Sequence, residues 1–252
     1  MRFSWYKHFI FACLLISPAI KLIAADCNQQ SLKASVYLKF ENFVGKDSLK
    51  LDDFVYKNEL GQSYSISKFK YYISNINLKT DDGKVFTYDG SFLIDEEEPG
   101  TKQMELKNVP EWNYTSIHFI LGVDSLHNCS GIQSGDLDPV KGMFWAWNTG
   151  YIFLKLEGKS PQSKMPVNIF EYHIGGFIQP NNCIRNFTLP LNRRDNNENP
   201  HSISIKCDVA EILKTPSIID FSSLPVVTDR NHAVEFANNY ADMFSILTIN
   251  YK

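Results

Sequence analysis

Histidine and tryptophan carry most of the chemistry open to this chain. Of the six histidines, His173 stands just before Gly175-Gly176 at the end of an alternating run, and His232 lies near the start of a late segment with helical spacing. Neutral imidazole is a metal ligand, so a pair of histidines from separate elements could make a metal centre. His118 falls in a strand, His127 in the loop after Asp124, and His201 beside a polar loop; no His-x-His or His-x-x-x-His spacing occurs. Trp145 and Trp147 are two residues apart, so in extended chain they share one face. They suit two roles: a plug that closes the core, or an exposed surface that recognises a glycan, peptide or protein.

The tryptophans close the most unusual segment, residues 122–158, where Asp124, Asp136 and Asp138 sit among glycines. Carboxylates and glycine-freed carbonyls could hold calcium, but their spacing is not that of the twelve-residue helix-loop-helix site, and turn capping is the plainer role. Met143, Met165 and Met243 lack Met-x-x-Met spacing and read as core. The carboxylate run Asp95-Glu96-Glu97-Glu98 reads as a solvated turn. There is no Gly-x-Ser-x-Gly, no glycine-rich phosphate loop and no His-Glu-x-x-His, so the chain is not expected to be an enzyme.

Compartment and charge narrow the field further. Residues 1–25 have a basic start (Arg2, Lys7), an apolar run too short to span a bilayer, and small residues at Ala24-Ala25, which together read as an export signal. Asp26 separates Ala25 from Cys27, so a lipoprotein anchor is not expected, nor a transmembrane anchor after cleavage; the product would be periplasmic or extracellular. The formal charge is −3, and the signal carries basic residues but no acidic one, so the remainder is more acidic still. That sign disfavours nucleic acid. Of five cysteines, Cys13 lies in the signal, which leaves Cys27, Cys129, Cys183 and Cys207. An even number in an exported chain predicts two disulfides, taken as Cys129 with Cys183 and Cys27 with Cys207 out of three possible connectivities.

The elements that must position these residues are mostly strands. Apolar and polar residues alternate over 36–40, 69–78, 85–88, 91–94, 115–121, 151–156, 167–173, 186–189 and 202–207, with turn-forming clusters between them. From 229 to 244 the spacing changes to three and four (Val234, Ala237, Ala241, Phe244), which predicts a helix capped by Thr228 or Asp229, followed by a terminal strand over 246–251. The expected fold is therefore mostly β: an antiparallel β-sandwich with a short C-terminal helix packed on it, residues 26–252 forming a single domain.

One resemblance spans most of the chain. The ordered series Tyr71-Tyr72-Ile73-Ser74-Asn75-Ile76, Leu121-Gly122-Val123-Asp124, Leu137-Asp138-Pro139, Gly142-Met143-Phe144-Trp145-Ala146-Trp147-Asn148-Thr149-Gly150-Tyr151, Lys155-Leu156-Glu157-Gly158 and His173-Ile174-Gly175-Gly176 resembles the motifs of the MbnP-like family. The resemblance implies an exported β-sandwich that binds copper through histidine nitrogens together with a kynurenine made by oxidising a tryptophan. It also implies a dihaem partner of the cytochrome c peroxidase type. On this carry-over His173 matches the His-x-Gly-Gly motif, His232 is the second metal ligand, and Trp145 and Trp147 are the candidates for the modified residue.

Overall fold

Alternation of apolar and polar side chains does build strands here. The computed structural model describes residues 1, 32–52, 54–145, 150–192, 199–230 and 232–251. Most of the expected signal, Cys27 and Trp147 thus lie outside the described residues. Among the described residues the strands are β1 (Lys33–Val44), β2 (Asp47–Ser48), β3 (Tyr56–Lys57), β4 (Ser63–Thr80), β5 (Val85–Asp95), β6 (Gln103–Pro110), β7 (Tyr114–Leu121), β8 (Leu154–Lys159), β9 (Ile169–Ile174), β10 (Arg185–Pro190), β11 (Pro200–Asp208), β12 (Val226–Val227) and β13 (Phe244–Tyr251). Two short helices, α1 (Ser125–Cys129) and α2 (Ala233–Asn239), complete the frame.

The strands form two sheets. One runs β13-β11-β1-β2, with β6 also on β1; the other runs β10-β7-β4-β8-β9-β12, with β3 and β5 also on β4. The expected β-sandwich is present, and most pairs are antiparallel, but β1 with β11 and β9 with β12 are parallel. Between the sheets the core is aromatic: Phe40 meets Tyr71, Phe119 and Phe244 edge-on at 6.3, 5.8 and 6.0 Å, and Phe187 meets Phe244 at 4.7 Å. Edge-to-face contacts of this kind add to the area that the rings already bury.

Strand β4 organises the second sheet. One edge pairs with β5; the other pairs with β8 over residues 65–71 and then with β7 over residues 73–80. The handover falls at Tyr72, whose N–H donates to the Phe153 carbonyl at 2.9 Å and whose carbonyl accepts from the Gly122 N–H at 2.9 Å. Gly122 has φ +123, and a Cβ there would stand 3.1 Å from the Phe153 ring. Glycine lets the chain leave the sheet at this fork. The connection from β7 to β8 then folds back over the outer face, where Tyr72 and Ser74 are fully buried.

Several elements depart from expectation. The stretches 85–88 and 91–94 are one strand, β5, and β6 was not anticipated. β8 begins at Leu154, and Tyr151 instead forms an isolated bridge with Phe144. The late helix is shorter than 229–244. α2 starts at Ala233 after His232, whose side chain makes no cap bond, then tightens into a 3-10 turn at Tyr240–Asp242 and becomes strand at Phe244. α2 does pack on the sandwich as expected, through Phe236 against Tyr172 at 4.5 Å.

Candidate functional site

The β7–β8 connection, described over residues 122–145 and 150–153, forms a cap over the outer face of the second sheet. Each aspartate in it is a folding device. Asp124 caps α1, accepting the His127 N–H at 3.0 Å and lying 2.7 Å from His127 Nδ1. Burial pushes the Asp124 carboxyl up, but the hydrogen bonds from His127 outweigh it and hold the group below the ordinary carboxylate range. Asp136 ties the cap to the sheet: its carbonyl accepts from Tyr72 Oη at 2.8 Å and its carboxylate from the Leu93 N–H at 3.2 Å. Asp138 caps a 3-10 turn by accepting the Val140 N–H at 3.0 Å. The buried Asn128 donates to the Val123 and Asp124 carbonyls and accepts the Tyr151 N–H at 3.2 Å. Tyr151 in turn donates to the Leu137 carbonyl at 2.9 Å.

Trp145 lies inside this cap, 2 % exposed. Its backbone N–H donates to the Gly150 carbonyl at 3.1 Å, and its ring lies over Gly175. A Cβ on Gly175 would stand 2.8 Å from Trp145 Cη2 and 2.5 Å from the Tyr151 carbonyl oxygen; one on Gly176 would stand 2.7 Å from the Asn181 carbonyl oxygen. The Gly-Gly pair after His173 is thus the seat of the cap. Trp145 Nε1 is buried with no acceptor among the described residues. Of the two roles open to the tryptophans, Trp145 serves as the plug; Trp147 lies outside the described residues.

His173 faces the other way from the sandwich core. Alternation along β9 turns Tyr172 inward, toward α2, and His173 outward, opposite Lys155 of β8. There His173 Nε2 lies 2.8 Å from Glu157 Oε1, and Lys68 and Lys155 approach the same carboxylate at 3.3 and 3.9 Å. Lys70, beside Lys155, pairs with Asp95 at 2.6 Å and Glu97 at 3.5 Å. The His173 hydrogen bond, aided by Lys68 and Lys155 against the opposing effect of burial, lowers the Glu157 carboxyl to about 2. Burial, with Lys68 and Lys70 close by, pushes the Lys155 ammonium down. His232 lies at the start of α2, on the inward side of β9, with its Nδ1 3.0 Å from Glu235 Oε1. The structure does not bring His173 and His232 together.

These residues do not fit a two-histidine copper centre. His173 is engaged by the Glu157 carboxylate, on which Lys68 and Lys155 also converge and oppose a further cation, and His232 is half exposed beside its own helix. Among the described residues no group of three or more His, Cys, Asp and Glu could hold a metal ion. His118 pairs with Thr188 at 2.9 Å, and His201 stacks edge-on against Tyr37 at 5.4 Å.

Two further expectations change. Cys129, Cys183 and Cys207 are free thiols. Cys129 is exposed on α1 whereas Cys183 is buried, its sulfur 3.7 Å from the Asn181 carbonyl oxygen, so the bridge between them is not formed. Cys207 is buried beside Tyr71 with its thiol pushed far up by burial, and its expected partner Cys27 lies outside the described residues. The run Asp95 to Glu98 is a turn that is solvated only in its second half: Glu97 and Glu98 are exposed, whereas Asp95 is 3 % exposed on Lys70, and Glu96 accepts from Asn42 at 2.7 Å and Lys102 at 2.8 Å. Sequence reasoning missed this charged face, although Lys68 and Lys70, Lys155 and Glu157, and Glu171 and His173 each alternate along a strand and signal it.

The comparisons with known proteins agree with this architecture. No curated protein sequence matches the chain. The solved structure of MbnP from Methylosinus trichosporium is similar in fold, with a TM-score of 0.54 at 14 % identity over 87 % of this chain and 99 % of that one. The family model for MbnP matches residues 33–233, from β1 to the start of α2, and the chain therefore belongs to the MbnP family.

Proposed function

We propose that this protein is an exported, non-catalytic binding protein that works through its cap, with a dihaem protein of the cytochrome c peroxidase type as its partner. One observation carries the reading. The cap is pinned to the sheet from beneath, yet it displays Leu126, Ile132 and Val140 at 73, 76 and 82 % exposure. Scattered apolar side chains are ordinary on a surface, but three large ones within a fifteen-residue span on a rigid base suit a protein contact. The partner's type comes from family resemblance, and the contact from the surface. Isothermal titration against that partner tests it. Binding that Leu126→Ser/Ile132→Ser/Val140→Ser weakens at least about tenfold supports the contact, since three apolar anchors readily exceed the 1.4 kcal/mol a factor of ten requires. Binding that the triple variant leaves unchanged removes it.

A second reading keeps copper as the ligand, as family membership suggests. Its support here is Trp145, a buried indole whose Nε1 has no acceptor among the described residues and which is, with Trp147, one of the two candidates for the oxidised tryptophan that the resemblance implies. Donors other than His173 with His232 would be required. Competition with a chromophoric Cu(I) chelator decides: tight binding retained in His173→Ala/His232→Ala places the donors elsewhere, and no binding by protein isolated from its native host rejects copper. Peptide mass spectrometry of the same protein reads the tryptophan separately.

A further inference from the structure

We propose that a cleft at the far end of β4 binds organic ammonium groups. The β4–β5 hairpin and the β6–β7 turn enclose about 380 Å³ between Thr80, Asp81, Asp82, Lys84, Trp112 and Asn113, with Glu111 beside them. Thr80 lies eight residues along β4 from Tyr72, about 26 Å at the rise of a strand, so this cleft is separate from the cap. Its volume is at the lower end of small-molecule sites.

The chemistry of the walls selects the ligand. Trp112 is half-buried, packed on Tyr114 with ring centroids 6.2 Å apart, and so presents a fixed indole surface. Asp81, Asp82 and Glu111 against Lys84 leave an excess of negative charge in the cleft. Lys84 already shows what such walls hold: its Nζ lies 5.8 Å from the Trp112 ring centroid and 3.0 Å from Asp82. An ammonium poised between an aromatic face and a carboxylate is the arrangement by which proteins recognise alkylammonium ligands. The hairpin that carries these groups is pinned, with the Thr80 N–H on the Lys84 carbonyl at 3.0 Å and the Lys84 N–H on Thr80 Oγ1 at 2.9 Å, so the Asp82 carboxylate keeps its place when the flexible Lys84 side chain swings out. Lys84 is therefore a built-in competitor, and a ligand with several ammonium groups displaces it.

That competition gives an unusual test. Spermidine is titrated into the purified protein while tryptophan fluorescence and heat are followed, with magnesium and glucose as counter-probes. Saturable spermidine binding is expected, weakening with added salt. Lys84→Ala tightens it about threefold or more by removing the competitor, and Trp112→Ala weakens it about fivefold, the size of a cation–π contact at an exposed site. Because Trp112 also packs on Tyr114, Asp81→Asn/Glu111→Gln supplies an independent arm: both residues are exposed, and their loss weakens spermidine without altering the thermal melt. The proposal is overturned if wild type and Lys84→Ala both fail to bind, if Lys84→Ala weakens binding, if magnesium competes as well as spermidine, or if glucose binds in its place.

Discussion

The cap around Trp145 and the charged face around His173 lie on the same side of the same sheet and are built on opposite principles. The cap buries Tyr72, Tyr151, Met143 and Trp145 and satisfies its backbone through Asp124, Asp136, Asp138 and Asn128. The neighbouring face fills the sheet surface with charge instead: Lys68, Lys155 and His173 gather on Glu157, and Lys70 pairs with Asp95 and Glu97. Both regions are dense in family motifs. The difference teaches that a motif of chemically capable residues can record a packing problem: Gly175 is glycine because an indole lies on it, and His173 is a partner for Glu157.

The comparison breaks first at Trp145. If the cap is a second small core, Trp145→Ala leaves a large void and costs about 4 kcal/mol, as for other buried aromatics. Urea unfolding measures it, and a loss below about 1 kcal/mol would mean the ring is dispensable to the fold. Gly175→Ala comes next. Its methyl group would need to move both the Tyr151 carbonyl and the Trp145 ring, a case of overpacking that costs about 2 to 3 kcal/mol. A neutral Gly175→Ala would show that the cap is not seated there.

The charged face answers to pH instead. Glu157 ionises near 2 in the folded protein, below its ordinary 4.5, so its contribution is complete above 4.5 and is lost as pH falls through about 2. After allowance for solvent screening, Glu157→Gln is expected to cost about 1 to 2 kcal/mol at pH 7, and the gap from wild type should narrow steadily between pH 4.5 and 2. Urea titrations at several pH values give the gap directly. A gap that stays constant across that range would mean the carboxylate acts through shape alone, and the contrast with the cap would collapse.

Much of this fold is written in period-two patterns, and what escaped them did so for physical reasons. β1, β7, β10 and β11 alternate plainly, since one face of each meets the core. β6 hid because Asn108, at φ +58, breaks the alternation between Leu106 and Val109. The late helix looked longer than it is because Ala241 and Phe244 continue its spacing, while Phe244 is claimed by Phe40, Phe119 and Phe187 as the first residue of a strand. The site followed the same rule. Trp145 was visible as a special residue, and a buried plug was one of the two roles read for it; what could not be read was the surface that covers it, which comes from Tyr151 and Gly175. His173 looked like a free ligand because Glu157, sixteen residues away, meets it only across the β8–β9 pair.

Cys129 gives the smallest expected effect and the sharpest check on the cap's surface. A disulfide from Cys129 to Cys183 would close a loop of about fifty residues, and its loss would cost roughly 2 to 5 kcal/mol. The structure instead puts Cys129 on the exposed side of α1, where Asp124 and Asn128 already hold the helix without it. Cys183 is held by other means: its carbonyl accepts from Tyr240 and its N–H donates to the Gly176 carbonyl at 2.8 Å. Cys129→Ser should therefore change stability by no more than about 0.5 kcal/mol, as for other exposed substitutions, in reducing and oxidising buffer alike. A loss of several kcal/mol confined to oxidising buffer would show that α1 can bring its thiol inward, and that the cap is a covalently closed element of the fold.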